Sequence, residues 1–209
     1  GRQLQSINNL GTQEFDGYVT LNGGYCLAGK DKVIYKHNIP SGDIEALIRY
    51  QENEEAFPCA LVEEDGIYQN YVDYDMLDFP HPPLRPLRGN GGKEVYQLIA
   101  FFSPGHEERI MSVLPHCEAT RWNPLFADVV PRGSSKAVGI DKIIEYYGIS
   151  LHETTAFGDG GNDMAMLCHA GIGVAMGNAG DEVKEAADYV TDSVDDDGVM
   201  NALRHFDVI

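Results

Sequence analysis

One stretch of sequence decides the fold class of this chain: Phe157-Gly158-Asp159-Gly160-Gly161-Asn162-Asp163-Met164-Ala165-Met166-Leu167. Its apolar start predicts a strand over 154–157, the glycines predict a tight turn, and the apolar spacing that follows predicts a helix over 162–169. A strand joined to a helix by a short turn is the repeating unit of a parallel sheet. We therefore expect Asp159 at the carboxyl edge of such a sheet, where open α/β folds bind their ligands.

The same alternation extends on both sides of this stretch. A strand is predicted at 127–130, and a helix at 137–147 starts after Ser134 and Ser135, which are candidate N-caps, and ends at Gly148. Further along, the pattern predicts strands at 172–175 and 189–191 and helices at 181–187 and 199–206. Regular alternation with short loops favours an α/β fold with a doubly wound parallel sheet.

The middle of the chain has a different pattern, rich in strands. It predicts helices at 41–55 and 107–114 and strands at 59–63, 66–71, 94–102 and 117–122, with a proline-rich segment at 81–86. We expect an inserted α+β domain over 40–124, with 1–39 and 125–209 forming the α/β core. In the first of these core segments the sequence predicts a helix at 2–10 and a strand at 17–21. That strand runs into Asn22-Gly23-Gly24, a hairpin signal.

Composition limits the classes of partner. Counting 15 Lys and Arg against 33 Asp and Glu gives a net charge of −18, which repels nucleic acid and anionic membrane surfaces. An anionic substrate would need a local cation, either a metal or a placed Lys or Arg. The four cysteines form no C-x-x-C pair, and no apolar run is long enough to span a bilayer. We expect a soluble, cytoplasmic protein without a nucleic-acid or membrane partner; its oligomeric state is left open by the sequence.

Two acids and one lysine are the candidates for binding a metal or an anionic ligand. Asp159 and Asp163 bracket the glycine turn, where their oxygens could hold a hard cation such as Mg²⁺. The alternative is a structural turn, with Asn162 as an N-cap and Asp163 in the first helical turn. Lys136 opens the preceding helix, where a cation opposes the helix dipole, and this slightly favours a role toward an anionic ligand over a solvated side chain. Asp163 stands where a dinucleotide fingerprint needs its third glycine, which excludes that motif.

Together these residues resemble the motifs of a known enzyme family. Residues 158–163 with Met166-Leu167, preceded by Lys136, resemble motifs IV and III of the haloacid dehalogenase (HAD) phosphatases. With Asn162 directly before Asp163, the motif resembles the version found in the Cof-like, type IIB sugar-phosphate phosphatases. These enzymes insert an α+β cap of the C2 type into a doubly wound core. Gly1-Arg2 resembles the end of motif II, and residues 20–24, 173–179, 187–191 and 196–199 resemble other family segments.

The resemblance implies a function and a role for each site residue. The function is Mg²⁺-dependent hydrolysis of a small phosphomonoester, a sugar phosphate, through an aspartyl-phosphate intermediate, with a small phosphorylated metabolite as the partner. Asp159 would ligate Mg²⁺ and Asp163 would support the site directly or through water. Lys136 would neutralise the phosphate and the attacking carboxylate. Asn162 would hydrogen-bond the phosphate or position the nucleophile, and the backbone N–H of Gly1 would lie near the phosphate.

One family feature does not occur in these residues. The family's nucleophile and general acid/base lie in an Asp-x-Asp-Gly-Thr motif, which is absent from the 209 residues and is expected before Gly1. We therefore expect the sequence to be a fragment that would not turn over as written. The alternatives are a phosphomutase-type phosphotransferase, or a non-catalytic module that binds a phospho-sugar or a metal if the chain truly starts at Gly1. Tyr25, Arg121 and Trp122 are candidates for sugar contacts, although packing roles are open for Tyr25 and Trp122.

Overall fold

The computed structural model describes residues 2–7, 13–71, 82–123 and 125–209. The strands are β1 Gly17–Thr20, β2 Tyr25–Ala28, β3 Lys32–Lys36, β4 Cys59–Glu63, β5 Ile67–Gln69, β6 Val95–Ala100, β7 Cys117–Asn123, β8 Phe126–Pro131, β9 Thr155–Gly158, β10 Ile172–Ala175 and β11 Tyr189–Val190. The α-helices are α1 Ser41–Asn53, α2 Glu107–Val113, α3 Lys136–Tyr147, α4 Met164–His169, α5 Asp181–Glu185 and α6 Gly198–His205. Within the described ranges, no helix combines the length and the apolar composition that crossing a bilayer requires.

The chain divides into two compact units. Unit 1 comprises Gly1–Gln13, Thr20–Tyr25 and Tyr35–Ser134, and unit 2 comprises Glu14–Val19, Cys26–Ile34 and Ser135–Ile209. The proposed insertion over 40–124 falls within unit 1, and its boundaries stay a prediction.

Unit 1 is built on a five-stranded sheet in the order β5-β4-β6-β8-β7, in which neighbouring strands are antiparallel. Helix α1 buries Ile44 and Leu47 against it, and Ile48 packs beside them, which is the i, i+3, i+4 spacing of one helix face. The core of this unit includes Ile39, Leu61, Leu98, Ile110, Leu114 and Val129. A helix and an antiparallel sheet around one core agree with the α+β pattern predicted for this region.

Strand β8 is found in a different sheet from the one its sequence suggests. Residues 127–130 were expected to begin the parallel α/β part of the chain. Instead, β8 lies between β6 and β7 and pairs antiparallel with both, with Val129 opposite Leu98 and Ala119. All six residues of β8 are buried, Asp128 among them, so burial does not alternate along the strand. Such burial fits a strand of either kind of sheet, so the pattern does not identify its partners.

Unit 2 contains the predicted parallel sheet, in the order β11-β10-β9. Ala175 of β10 is in register with Gly158 of β9 on one side and with Val190 of β11 on the other. The core beside this sheet is formed by Ala156, Leu167, Ala175, Ala179 and Val183. The predicted α/β fold with a parallel sheet is therefore confirmed.

Near the start of the chain the structure differs from the predicted helix at 2–10. Of the residues described there, Leu4–Ser6 form a single 3-10 turn. The side chain of Gln3 is buried and donates hydrogen bonds to the backbone oxygens of Glu63 and Gly66, so tertiary contacts fix this segment. After β1, Leu21 and Asn22 both have left-handed backbone angles (φ 51° and 52°), which make the tight turn predicted at this point and lead into β2.

Candidate functional site

The candidate site lies where the parallel strands of unit 2 end. Strand β9 ends at Gly158, so Asp159 is the first residue beyond it. Gly158 is in register with Ala175, and its carbonyl accepts a hydrogen bond from Met176 N at 2.9 Å. The residues that follow β10 therefore emerge at the same carboxyl edge as Asp159. This is the edge at which open α/β sheets bind ligands.

A glycine at position 158 allows the site to form. A Cβ added to Gly158 would lie 2.5 Å from Cβ of Asp163, closer than two such atoms can approach. Asp163 thus packs directly over the end of β9. The chain makes a 3-10 turn over Gly161–Asp163 and α4 begins at Met164, two residues later than the helix start predicted from the sequence. Asp163 is the third residue of this turn, and its carboxylate accepts a hydrogen bond from the backbone N–H of Gly160, the N-cap, so it caps the helical segment that continues into α4.

Asp163 is the most highly bonded side chain of the site. It is buried, and its Oδ2 accepts hydrogen bonds from the backbone N–H groups of Asp159 and Gly160 at 3.1 and 3.0 Å. Its Oδ1 forms an ion pair with Nζ of Lys136. Burial alone would raise the pKa of Asp163, but the hydrogen bonds from Lys136 and from the two backbone N–H groups outweigh burial and hold this pKa below its usual value.

Lys136 reaches the site from the first position of α3. Ser135 is the N-cap of this helix, and its side chain accepts a hydrogen bond from Val138 N at 3.2 Å, as the sequence predicted. The side chain of Lys136 is 24% exposed, so its ammonium group is partly accessible from solvent. An ammonium group has three donors, and the bond to Asp163 uses one of them. Two donors remain for an anion, in a chain whose net charge of −18 otherwise repels anions.

Asp159 and Asn162 are the more exposed members of the site. Oδ2 of Asp159 accepts a hydrogen bond from Nδ2 of Asn178 at 3.0 Å. Within the part of the chain that the structure describes, no group donates to Oδ1 of Asp159. The side chain of Asn162 lies partly exposed above the turn, and a Cβ on Gly160 would come within 2.9 Å of its Oδ1. The turn therefore presents a carboxylate oxygen and a carboxamide to solvent.

Sequence analysis missed Asn178 as a member of the site, although the needed signal is present. Asn178 follows β10 by three residues, and β10 is the parallel neighbour of β9. Since parallel strands end at one edge, a polar residue after β10 should lie beside Asp159. In the sequence, Asn178 belongs to residues 173–179, which resemble a segment of the family without indicating a role for this side chain.

The donors of the site can be compared with the needs of a metal. Within the described ranges, no group of three or more His, Cys, Asp and Glu side chains is arranged to hold an ion. Oδ1 of Asp159, which accepts no bond from the described residues, is a hard donor of the kind that Mg²⁺ prefers. Mg²⁺ usually keeps several waters and takes one or two carboxylates. Oδ1 of Asp159 is therefore chemically suited to be one ligand of a Mg²⁺ ion, whose other ligands would have to come from water and substrate. Asp163 has less capacity left, because both of its oxygens already accept hydrogen bonds.

The other residues predicted for the site belong to unit 1. Gly1 is outside the described residues, and so is the side chain of Trp122. Within unit 1, Arg121 donates to Glu107 at 2.7 Å and to the backbone oxygen of Phe102 at 2.8 Å, and Tyr25 donates to Glu64 at 2.8 Å. These bonds join residues of the same unit, and sugar contacts by Tyr25, Arg121 or Trp122 stay a prediction.

The chain is similar to proteins of one enzyme family along nearly its whole length. The haloacid dehalogenase-like hydrolase family matches residues 1–203. The Bacillus subtilis protein YkrA, which is named as a phosphatase, is 35% identical over 210 residues, covering 97% of this chain and 79% of its own.

Two solved structures are similar in both sequence and fold. A phosphatase of the HAD superfamily from Bacteroides thetaiotaomicron is 40% identical with a TM-score of 0.85, and the match covers 93% of this chain and 75% of that one. A sugar phosphatase of HAD subclass IIB is 43% identical with a TM-score of 0.81, covering 93% of this chain and 77% of the other. The matching family, the phosphatase relatives and the parallel sheet with its carboxylate turn agree: the chain belongs to the haloacid dehalogenase-like hydrolases, and within them to the Cof-like phosphatases of subclass IIB.

Proposed function

We propose that this protein hydrolyses a small phosphomonoester, a sugar phosphate, in a Mg²⁺-dependent reaction through an aspartyl-phosphate intermediate. The observation that carries the proposal is the cluster at the carboxyl edge of unit 2. Lys136 is paired with Asp163, directly beside Asp159 and the Gly160-Gly161 turn. A cation held next to an exposed carboxylate oxygen is what the transfer of a charged phosphoryl group requires. The sugar phosphate is proposed because the structurally similar subclass IIB enzyme is named as a sugar phosphatase.

In this proposal the two acids have different tasks. Asp159 ligates Mg²⁺ through the oxygen that accepts no bond from the described residues. Asp163 supports the site through water and by fixing the position of Lys136, since its own oxygens are occupied by three donors. When bound, Mg²⁺ supplies positive charge that offsets the charge of the phosphoryl oxygens.

Lys136 binds the transferring phosphoryl group. Its pairing with Asp163 holds the ammonium group in one position, so less side-chain entropy is lost when substrate binds. The two remaining N–H donors can then contact phosphoryl oxygens and the attacking carboxylate. Asn162 contributes a neutral hydrogen bond from the turn, either to the phosphate or to the nucleophile. We further propose the backbone N–H of Gly1 as a phosphate contact.

The attacking carboxylate must come from a motif that these residues do not contain. No Asp-x-Asp-Gly-Thr sequence occurs in the 209 residues. A test of turnover therefore uses a protein that contains such a motif together with these residues.

The test compares phosphate release by full-length protein carrying Lys136→Ala or Asp159→Asn with that of the unaltered enzyme. The substrates are a panel of sugar phosphates that includes a bisphosphate. We expect kcat/KM to fall by about 10²–10³-fold in each variant, the range seen when one transition-state contact is removed. Lys142→Ala, in the same helix, is the control and should retain activity within about twofold, because Lys142 and its partner Glu145 lie at the surface.

Each outcome separates the proposal from its alternatives. Turnover retained by either variant would contradict the role assigned to that residue. Transfer of phosphate between the positions of a bisphosphate, in place of release to water, would identify a phosphomutase. Mg²⁺-dependent ligand binding without turnover by the unaltered enzyme would identify a binding module.

A further inference from the structure

Asn178 links the candidate metal ligand to a loop on the far side of the neighbouring strand. Its Nδ2 donates to Oδ2 of Asp159 at 3.0 Å, while its Oδ1 accepts from the backbone N–H of Val194 at 3.1 Å. The two bonds fix the orientation of the carboxamide group. The flipped orientation would place Oδ1 against a carboxylate and the amino group against an N–H donor, and both contacts would be repulsive.

The loop that holds Asn178 is itself attached to the end of β10. Thr191 N donates to Ala175 O at 3.0 Å and Gly177 N donates to Asp192 O at 2.9 Å. The approach is so close that a Cβ on Gly177 would lie 2.7 Å from Ser193 N. Ser193 then caps the 3-10 turn Val194–Asp196 by accepting from Asp195 N at 3.2 Å. The N–H of Val194 is thus held in place by backbone contacts within unit 2.

We propose that Asn178 is a positioning residue for Asp159, which fixes the carboxylate so that its other oxygen faces the metal site. This inference rests on the proposed function, because it assumes that Asp159 ligates Mg²⁺. Without Asn178, the exposed side chain of Asp159 would be free to change rotamer, and metal binding would have to order it. The hydrogen-bond partners of metal ligands typically contribute 10–100-fold to metal affinity.

The neutrality of Asn178 is part of the argument. Lys136, the cation of the site, is paired with Asp163, and the partner of Asp159 carries no charge. A lysine or arginine at position 178 would compete with Mg²⁺ for the carboxylate. A carboxamide orients the carboxylate and leaves its full negative charge for the metal.

The experiment measures Mg²⁺ affinity directly, by calorimetric titration of the full-length protein and by competition with Mn²⁺ followed by electron paramagnetic resonance. We expect Asn178→Ala to raise the Kd for Mg²⁺ by about tenfold, the low end of the range for such partners, because the bond is exposed. Excess Mg²⁺ should return kcat close to that of the unaltered enzyme. A purely structural role would instead lower the melting temperature without a change in Kd.

Two further variants keep the test decisive. Val194→Pro removes the N–H that orients Asn178, at the first position of a turn, where proline is accepted. It should raise the Kd by about threefold and serves as the test if Asn178→Ala does not fold. Asn201→Ala is the control, because Asn201 bonds to Asp192 and Asp196 in the same loop. Its Kd should stay within about twofold of the unaltered value.

The outcomes are distinct. An unchanged Kd in Asn178→Ala, or in Val194→Pro if the first variant is unfolded, would overturn the inference and leave the proposed function intact. An unaltered protein that binds no Mg²⁺ would overturn both.

Discussion

Replacing Asp163 by Asn tests whether the carboxylate organises the site. Three donors converge on this side chain: Nζ of Lys136 on Oδ1, and the backbone N–H groups of Asp159 and Gly160 on Oδ2. Asparagine has one oxygen and one amino group. It must therefore turn the amino group either toward the ammonium of Lys136 or toward the two N–H groups. At least one donor loses its partner, and Lys136 loses the charge that balances it.

The expected loss in the free energy of unfolding depends on how deeply the Lys136–Asp163 pair is buried. A hydrogen bond to a charged group contributes about 1.5–3 kcal/mol, and breaking a fully buried ion pair costs about 3–5 kcal/mol. The side chain of Asp163 is 9% exposed but that of Lys136 is 24% exposed, so water recovers part of the loss. We expect Asp163→Asn to lower the free energy of unfolding by about 2 kcal/mol. For a protein of this size, that corresponds to a melting temperature about 4–8 °C lower.

The assay is urea and thermal unfolding of the full-length protein over a range of pH. Asp163 has a lower pKa in the folded protein than the value of about 3.9 of an unfolded Asp. Its contribution to stability is therefore fully present above about pH 4 and is lost as pH falls through the lower, folded-state pKa. The stability difference between the unaltered protein and Asp163→Asn should be constant from pH 5 to pH 8 on this argument, and it should shrink below about pH 4.

Glu145→Gln provides the matched control in α3. Glu145 pairs with Lys142 at 3.2 Å, but its side chain is 74% exposed. Its removal should change stability by less than about 0.5 kcal/mol. A loss in Asp163→Asn no larger than this control at pH 7, or a difference that grows as the pH falls below 4, would refute the reasoning.

Two other predictions concern the turn and the thiols. Gly158→Ala places a Cβ 2.5 Å from that of Asp163 and should cost about 1–3 kcal/mol of stability, measured by urea unfolding, together with most of the phosphate release. Gly161→Ala, in the same turn but with no atom within 4 Å of the added Cβ, should be tolerated; equal losses in both variants would contradict the steric argument. Cys168 is exposed and should be the single thiol that reacts rapidly with a disulfide reagent in the native protein, so Cys168→Ser should abolish the rapid phase. Burial raises the pKa of the other thiols, to about 11 in Cys26 and about 12 in Cys59 and Cys117, and a second fast thiol would disprove this ordering.

Features with local causes could be predicted from the sequence. The N-cap at Ser135 and the left-handed Gly148 that ends α3 depend only on neighbouring residues. The glycine turn that places Asp159 after β9 is equally local. By contrast, Lys136 and Asp163 are 27 residues apart, and Asp159 and Asn178 are 19 apart. The sequence predicts that both residues of the first pair face the site, but it contains no signal that they bond to each other.

Features that depend on tertiary pairing could not be predicted. Strand β8 is buried throughout, so its residues carry no alternation that shows which strands lie beside it. In the N-terminal segment, contacts of Gln3 with a distant strand override helical propensity.

The acid and the base of the Lys136–Asp163 pair cannot exchange positions. Exchanging the two residues would restore one acid and one base at the same distance. The exchanged lysine, however, would point its ammonium group at the N–H groups of Asp159 and Gly160, which need an acceptor. The main chain of the turn thus requires a hydrogen-bond acceptor at position 163 before any substrate is considered, and an acid supplies one while leaving its second oxygen for a cation. An acid at position 163 in turn favours a cation at position 136. The path of the backbone therefore determines that the site offers a positive charge to a ligand.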